Sequence, residues 1–330
     1  MPDRIIEKSL QEEGVSPDEI AYLFEVPLFS AESAKILAAS RRKSEAASGG
    51  LAEVHAQVGL NIAPCPKNCA FCAFAEKNKV FATASQLSAE EAAAAALLFE
   101  QDGANAIYVM ATADYPFAKY LEMSREIRAN LKAESVLVAN VGDFDDRQAR
   151  LLKDVGYSGI YHAVRLGEGC VTSLPVEQRL QTMKIAREAG LTVGTCVEPV
   201  GPEHDIEELV EKTLITREAA PCFSGAARRI PIPGTQLAPH GIVSEARMAH
   251  ILAVVRLAVA CDTPGNCTHE PNVIGAAAGA NLLWAESGSN PRDTAEKTQE
   301  KRGMTVQDCR EVFHEAEWQV LQGPSRLFPR

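Results

Sequence analysis

Three cysteines lie within eight residues of the chain, at Cys65, Cys69 and Cys72, in the spacing C-x3-C-x2-C. Closely spaced thiolates in one loop bind thiophilic metals, above all iron–sulfur clusters. A [4Fe–4S] cluster ordinarily takes four cysteine ligands, and no fourth cysteine follows nearby, so one iron would stay free to bind another molecule. The segment therefore predicts a [4Fe–4S] cluster with an open coordination position.

Other uses of cysteine fit this segment less well. A structural zinc site pairs C-x2-C with a second pair of cysteines or histidines farther along, and the chain has no second C-x2-C. A disulfide framework is typical of short secreted chains, whereas this chain has 330 residues. Unreactive buried cysteines rarely fall so close together beside two prolines, here Pro64 and Pro66. The spacing favours the iron–sulfur interpretation.

Phe71 stands directly before the third cysteine, and this segment resembles the cluster loop of the radical S-adenosylmethionine (SAM) superfamily. The resemblance implies that the amino and carboxylate groups of SAM chelate the open iron, and that the reduced cluster cleaves SAM to a 5′-deoxyadenosyl radical. Segments 231–238 and 279–284 resemble the sixth- and eighth-strand signatures of biotin synthase and its relatives, which include methylornithine synthase and a hydrogenase-maturation enzyme. The resemblance extends from about residue 51 to residue 303.

Short β-rich runs alternate with amphipathic helical runs from residue 51 onward. Eight strands, each followed by a helix, predict an α/β fold, a (β/α)8 TIM-type barrel of parallel strands. An open barrel of six strands, with the last third of the chain as an appendage, is the alternative. The predicted strands cover residues 54–62, 106–110, 136–141, 159–164, 191–197, 226–232, 265–269 and 281–285.

Helices are predicted between the strands and at both ends of the chain. Ser16 begins one helix as its N-cap, and Ser88 begins another with a capping box. We expect an N-terminal helical extension over residues 1–50, the barrel over 51–290, and C-terminal helices packed on the barrel over 291–330. From the first strand onward, the predicted helices cover residues 88–103, 116–133, 147–155, 175–189, 206–218, 244–259, 273–278, 294–301 and 306–321.

The carboxyl ends of the strands supply the reactive groups of a parallel barrel, and the resemblance places the SAM contacts there. Arg165 follows the fourth predicted strand with a guanidinium that suits a carboxylate, and Glu168 can accept from an ammonium group or a ribose hydroxyl. A surface ion pair is the alternative for these two residues. Segment 197–203 resembles the family's adenine-binding turn. The predicted SAM-binding residues are Thr112, Asp114, Asn140, Arg165, Glu168 and Glu198.

A second cluster is predicted deeper in the barrel. Biotin synthase of the familiar type holds a [2Fe–2S] cluster there, bound by cysteines on strands two, three and five and by an arginine on strand seven. This chain has Met110 and Asn140 at two of these places, but Cys170, Cys196 and Cys267 follow or lie on the fourth, fifth and seventh predicted strands. These three cysteines are predicted to hold a different second iron–sulfur cluster. Small buried apolar side chains are the other interpretation.

Further residues near the strand ends are candidates for roles at this site. Either His269, two residues after Cys267, or an exogenous sulfide is expected to complete the second cluster. Arg228 and Arg229, beside the sixth predicted strand, are candidates to hold a substrate carboxylate, with ion pairs around the barrel rim as the alternative. The remaining cysteines are predicted to be structural: Cys222, Cys261 and Cys309.

The composition excludes some classes of partner. The chain carries a net charge of −11 and has no block of Lys or Arg. Nucleic-acid binding needs a basic face that neutralises phosphates, so no nucleic-acid partner is expected. Residues 1–25 lack the basic and then apolar pattern of a signal peptide, and no apolar run reaches the length of a membrane span. Nine cysteines without such a signal predict the reducing cytoplasm.

The resemblance implies a cytoplasmic enzyme that takes an electron from a donor such as flavodoxin or ferredoxin, cleaves SAM and abstracts hydrogen from an unactivated carbon. Sulfur insertion into a small-molecule or carrier-bound acyl substrate is the favoured outcome, as in biotin or lipoyl formation. One alternative is a carbon-skeleton rearrangement or cofactor-maturation reaction without sulfur transfer. Another is an iron–sulfur electron carrier or scaffold. The resemblance is compatible with a homodimer and with a complex with a second radical SAM protein.

Overall fold

Eight parallel strands of the chain pair with one another in sequence order and close into a barrel. The computed structural model describes residues 1–11 and 14–328. The strands are β1 (Leu51–Gly59), β2 (Ala106–Met110), β3 (Val136–Asn140), β4 (Tyr157–Tyr161), β5 (Thr192–Gly194), β6 (Phe223–Arg228), β7 (Gly265–Cys267) and β8 (Leu282–Gly288). β8 pairs back with β1, from Glu53 opposite Leu282 to Gly59 opposite Gly288. The predicted (β/α)8 barrel is confirmed, and the open six-stranded alternative is wrong.

Helices surround the barrel and connect its strands. They are α1 (Pro2–Leu10), α2 (Pro17–Glu25), α3 (Ala31–Ser48), α4 (Ala89–Gln101), α5 (Phe117–Asn130), α6 (Asp146–Val155), α7 (Val176–Glu188), α8 (Ile206–Glu218), α9 (Glu245–Ala258), α10 (Val273–Ala277) and α11 (Val306–Glu315). The first three precede the barrel and pack against α8 and α9. Within the described part of the chain, no helix is long and apolar enough to span a membrane. The division into domains stays a prediction.

The segment after β8 differs from its prediction. A helix was expected over 294–301, but only Thr298–Glu300 is helical, as one 3-10 turn. The buried carboxylate of Asp293 explains this loop, because it accepts from the backbone N–H groups of Thr294 and Ala295 at 2.6 and 3.1 Å and from the hydroxyl of Thr298 at 2.8 Å. These bonds hold the chain in a turn that a continuous helix could not keep.

Several strand and helix boundaries also differ from their predictions, most clearly at the last helix and at β6. The helix predicted to reach residue 321 ends at Glu315, and Gln319–Val320 instead forms a short strand beside β1. Strand β6 begins three residues before its predicted start and ends before Pro231 and Pro233. Proline has no N–H to donate to a ladder of strands, so these residues cannot continue β6.

Aromatic side chains fill the amino-terminal half of the barrel. Phe328, in the C-terminal tail, packs there with its ring centroid 6.2 Å from that of Phe223. Asn105 holds the tail in place, since its Nδ2 donates to the carbonyls of Leu321 at 3.0 Å and Gly323 at 2.7 Å. The tail therefore fills this end of the barrel, and the open cavity lies at the carboxyl end of the strands.

Candidate active site

The three-cysteine loop follows β1 and is closed at its base. The short antiparallel strands Asn61–Ile62 and Ser85–Gln86 bring its two ends together. Inside the loop, Cys65 donates its N–H to the carbonyl of Phe74 at 2.7 Å and accepts from the N–H of Glu76 at 3.1 Å. Asn68 adopts the left-handed conformation, with φ of 51°, which asparagine tolerates better than most residues. The segment between the cysteines is thus folded by its own backbone hydrogen bonds.

Asn78 and two neighbouring loops hold the cysteine loop over the barrel. The Nδ2 atom of Asn78 donates to the carbonyl of Cys72 at 2.8 Å and to that of Cys69 at 3.3 Å. The loop also donates its backbone N–H groups outward, from Ala70 to Val171 at 2.8 Å and from Ala73 to Pro291 at 2.9 Å. These contacts position the cysteines between the loops that follow β4 and β8.

Burial is the main influence on the acidity of these thiols. It raises the pKa of Cys65 and of Cys72 to about 12. It also raises the pKa of Cys69, against the opposing charges of Arg165 and Arg179. The three thiols lie close enough for negative charge on one to raise the pKa of the next. Because a metal cation stabilises thiolates directly, a bound metal centre would reverse these shifts.

All three cysteines line one open cavity at the carboxyl end of the barrel. The predicted SAM-binding residues that line the same cavity are Thr112, Asn140, Arg165 and Glu198. Two of these four are already bonded to strand β1 or the residues after it: Nδ2 of Asn140 donates to Gln57 at 2.9 Å, and the hydroxyl of Thr112 accepts from Asn61 at 3.0 Å. The structure therefore brings together, around one space, groups that are far apart in sequence.

Two buried nitrogen donors in residues of the cavity wall lack a protein partner. The Nδ2 atom of Asn290 and the Nε atom of Arg229 make no hydrogen bond to any residue that the structure describes, and both residues line the cavity. An unpaired buried donor costs about 1–3 kcal/mol. A hydrogen-bond acceptor supplied by a bound molecule would remove this cost.

Arg165 and Glu198 form a charged pair in the cavity wall. Their Nε and Oε1 atoms lie 3.7 Å apart. Burial raises the pKa of Glu198, but the charges of His269 and Arg165 outweigh it, and the net shift is downward. Burial likewise opposes the charge on Arg165, yet the carboxylates of Glu198 and Glu168 raise its pKa. Both groups are charged at neutral pH, so the wall offers one cation and one anion to a ligand.

Glu168 and Asp114 lie outside the cavity lining. The carboxylate of Glu168 accepts from the backbone N–H of Arg165 at 3.0 Å and from the hydroxyl of Thr172 at 2.8 Å, so it folds the loop after β4. Asp114 lies beside Cys65, where its charge raises the pKa of that thiol. Both residues act on the site through a neighbour.

The sequence reasoning missed Arg179, which lines the cavity from helix α7. Its Nη1 atom donates to Asp143 at 3.2 Å, and its Nε atom donates to the carbonyl of Ala163 at 3.2 Å and lies 3.7 Å from Glu168. The only available signal was an arginine among the apolar positions of an amphipathic helix. Strand-end reasoning cannot find a residue that reaches the cavity from a helix.

A second group of potential metal ligands lies at the edge of the cavity lining. The Sγ atom of Cys196 lies 3.7 Å from Nε2 of His269, and these two atoms and Sγ of Cys267 all lie within 4.8 Å of one another. Burial raises the pKa of Cys196, but hydrogen bonds from Cys267 and His269 outweigh it and lower that pKa to about 7. The His269 ring stacks on Trp284 with centroids 4.5 Å apart.

The other candidates from the sequence lie elsewhere. Cys170 is exposed and does not join Cys196 and Cys267. Arg228 lies outside the cavity lining, where its guanidinium pairs with Glu270 and, at 3.2 Å, with Glu245. Two of the cysteines predicted to be structural lie apart from both groups: Cys309, which is buried, and Cys261, which is partly buried. The third, Cys222, is buried in the same cluster of side chains as Cys196 and Cys267.

The three-cysteine loop follows the first strand of a closed parallel barrel, at the carboxyl end of the strands where such barrels carry their active sites. The sequence model of the radical SAM superfamily matches residues 63–214, a segment that begins two residues before Cys65. Residues 63–214 therefore carry the similarity of this chain to the radical SAM superfamily.

Biotin synthases are among its relatives by sequence. The biotin synthase of Carboxydothermus hydrogenoformans is 25% identical over 270 residues, which cover 78% of this chain and 82% of that protein. The biotin synthase of Thermus thermophilus is 31% identical over 180 residues, which cover 52% of this chain and 54% of that protein. Against the latter, the match spans about half the length of each protein.

Two solved structures share the fold over nearly the whole chain. Methylornithine synthase superposes with a TM-score of 0.79 at 14% identity, covering 98% of both chains. HydG, a maturase of the [FeFe]-hydrogenase, superposes with a TM-score of 0.78 at 18% identity, covering 97% of this chain and 75% of the other. At these identities the likeness concerns the fold.

Proposed function

We propose that this chain reductively cleaves SAM and uses the resulting radical to abstract hydrogen from an unactivated carbon of a substrate bound in the cavity. One observation carries the proposal. The three cysteines line the same cavity as the polar residues at the strand ends, so a cluster held by the loop would face a ligand held by the barrel. An electron carrier or scaffold would need no such cavity beside its cluster.

The cysteine loop fits a [4Fe–4S] cluster with Cys65, Cys69 and Cys72 as its ligands. Three thiols in one loop are the donor set that such clusters take, with one iron left open. When bound, the cluster would supply the electron that cleaves SAM. The chain's own contribution is to exclude water and to hold the loop in place. Asn78 holds the loop through its hydrogen bonds to the carbonyls of Cys69 and Cys72.

The cavity wall fits SAM beside that loop. Arg165 would bind the carboxylate of SAM through charge-assisted hydrogen bonds, and Glu198 would hold that guanidinium in place and accept from a polar group of the ligand. The unpaired donors of Asn290 and Arg229 supply further contacts. In this arrangement the carboxylate of Glu168 positions Arg165 by accepting a hydrogen bond from the backbone N–H group of Arg165.

Sulfur insertion is the finer proposal for the reaction, and the relationship by sequence to biotin synthases supports it. The substrate would be a small molecule or a carrier-bound acyl group, and the electron donor a flavodoxin or ferredoxin of the cytoplasm. Hydrogen abstraction without sulfur transfer is the second candidate. The exposed position of Cys170 favours it, because only two cysteines remain next to the cavity lining in this group.

Anaerobic reconstitution tests the proposal. The reconstituted chain with dithionite and SAM is expected to release 5′-deoxyadenosine and methionine. Release of 5′-deoxyadenosine by the chain without a reconstituted cluster would contradict the assignment. To separate the two reaction classes, the chain is reconstituted with isotopically labelled sulfide and supplied with candidate acyl substrates. Label in the product supports sulfur insertion, and an unlabelled rearranged product supports the second candidate.

A further inference from the structure

Three potential metal ligands meet at the edge of the cavity lining, where His269 belongs to the lining and the other two are buried next to it. Cys196 follows β5, Cys267 ends β7, and His269 comes two residues later. Their three ligand atoms lie within 4.8 Å of one another, and Sγ of Cys196 is 3.7 Å from Nε2 of His269. Both cysteines are at most 1% exposed. The group lies apart from the three-cysteine loop, whose thiols are not part of it.

We infer that Cys196, Cys267 and His269 bind one thiophilic divalent metal ion, such as Zn²⁺ or Fe²⁺, with its fourth coordination position open to the cavity. Two thiolates and an imidazole are a ligand set that these ions take in tetrahedral sites that keep one position for a small molecule. The inference goes beyond the proposed function, because metal binding here depends neither on SAM nor on the cluster of the cysteine loop.

The geometry suits a single ion. Metal–ligand bonds of about 2.0–2.3 Å place tetrahedral ligand atoms roughly 3.5–4 Å apart, and the 3.7 Å between Cys196 and His269 lies within that range. The imidazole of His269 is oriented before any metal binds, since it stacks on Trp284 at 4.5 Å and contacts the ring of Tyr161 at 5.2 Å. An ion would therefore need only small side-chain movements.

The fourth coordination position would face the cavity, because only one of the three ligands, His269, belongs to the cavity lining. His269 lines the cavity, whereas Cys196 and Cys267 are buried and are not part of its lining. Oε2 of Glu198, which also lines the cavity, lies 4.0 Å from Nε2 of His269. Arg292 also lines the cavity at this point and donates to the carbonyl of His269 at 3.3 Å.

Charge balance explains why such a group can lie in an apolar barrel. Two thiolates cancel the charge of one divalent ion, so the occupied site is neutral, and burying it avoids the large cost of an unpaired charge. The competing explanation is that the cysteines are small apolar residues. Cys309 shows that pattern: it is fully buried within a cluster of apolar side chains. Cys196 differs, because an imidazole contacts its sulfur.

Cobalt binding to a variant without the first site tests the inference. In the Cys65→Ala/Cys69→Ala/Cys72→Ala chain, Co²⁺ titration is expected to give one ion per chain, with thiolate-to-cobalt charge-transfer bands and tetrahedral ligand-field bands. Adding Cys196→Ala, Cys267→Ala or His269→Ala should lower the affinity about 100-fold or more, since losing an outer-shell partner alone costs about 10- to 100-fold. Adding Cys170→Ala, which removes an exposed thiol, should change nothing.

Several outcomes would overturn the inference. They are the absence of Co²⁺ binding, loss of binding in the Cys170→Ala control, and recovery of several irons with sulfide in place of a single ion. A small thiol should shift the ligand-field bands, and an unchanged spectrum would contradict the open position. If the triple variant does not fold, zinc is counted on the cluster-loaded wild type and on its His269→Ala variant, where one ion per chain should be lost. Release of 5′-deoxyadenosine in the same samples reports separately on the proposed function.

Discussion

The Nε atom of Arg165 lies 3.7 Å from Oε1 of Glu198, although the two residues follow different strands of the barrel. The backbone joins the same two segments, because the N–H of Leu166 donates to the carbonyl of Glu198 at 2.8 Å. Glu168 fixes the Arg165 backbone from the other side at 3.0 Å. The guanidinium is therefore oriented toward the cavity before any ligand binds, which lowers the entropy cost of binding.

Replacing Arg165 by alanine should weaken SAM binding. A charge-assisted hydrogen bond contributes about 1.5–3 kcal/mol, so the dissociation constant should rise about 10- to 100-fold, while the iron content stays that of the wild type. Equilibrium dialysis of the reconstituted protein measures both. Arg302→Ala is the matched control, since Arg302 pairs with Glu270 outside the cavity lining. Unchanged SAM affinity in Arg165→Ala would show that Arg165 only forms an ion pair with Glu198 and does not bind SAM.

Replacing Cys65, Cys69 and Cys72 together by alanine should abolish release of 5′-deoxyadenosine under dithionite. The reason is that the group of potential ligands at the edge of the cavity lining is separate and cannot substitute for the loop. Liquid chromatography of the reaction mixture measures the nucleoside. Cys170→Ala, which removes an exposed thiol, should retain full activity. Continued SAM cleavage by the triple variant would show that the cluster lies elsewhere.

Replacing Asn105 by alanine should destabilise the chain without touching the cavity. Its side chain accepts from the N–H of Val54 at 2.8 Å and donates to the carbonyls of Leu321 and Gly323, and buried groups left unpaired cost about 1–3 kcal/mol each. We expect the free energy of unfolding to fall by about 2–4 kcal/mol in urea titrations followed by circular dichroism. The exposed Asn130→Ala serves as the control. An equal, small effect in both variants would mean that Asn105 does not hold the tail.

The stability of the fold should fall as the pH is lowered from 6.5, in part through His162. Burial and the charge of Arg179 lower the pKa of this imidazole to about 3, despite its hydrogen bond to Asp143 at 2.8 Å. The unfolded chain binds a proton near pH 6.5 and the folded chain does not, so stability is complete above that pH. The contribution of His162 to the free energy of unfolding should then decline by at most about 1.4 kcal/mol per pH unit as the pH falls.

The variant His162→Gln isolates that contribution. It removes the titrating group, so the free energy of unfolding should change less between pH 6.5 and 4.5 than in the wild type, although the variant is less stable at pH 7. Urea unfolding of the cluster-free chains at several pH values measures the slopes. His314→Gln, at an exposed position on α11, should keep the wild-type slope. Parallel slopes in all three proteins would show that His162 titrates normally in the folded state.

Features set by neighbouring residues could be predicted from the sequence. The capping box of Ser88 and Glu91 is confirmed at the start of α4, and strand 106–110 and helix 206–218 have their predicted bounds. The spacing of the three cysteines placed them in one loop, and the family match begins there. Such features depend on periodicity and on hydrogen bonds that span only a few positions, so the local sequence contains the information.

The tertiary structure alone decided which side chains converge. Cys170 and Cys196 follow neighbouring strands, yet Cys170 faces solvent while Cys196 contacts His269, 73 residues away. Arg165 and Glu168 lie in one short segment, but only Arg165 lines the cavity. The physical reason is that a shift of one residue in strand register, or one turn within a loop, sends a side chain to the opposite face. That direction is set by pairing and packing across the whole barrel.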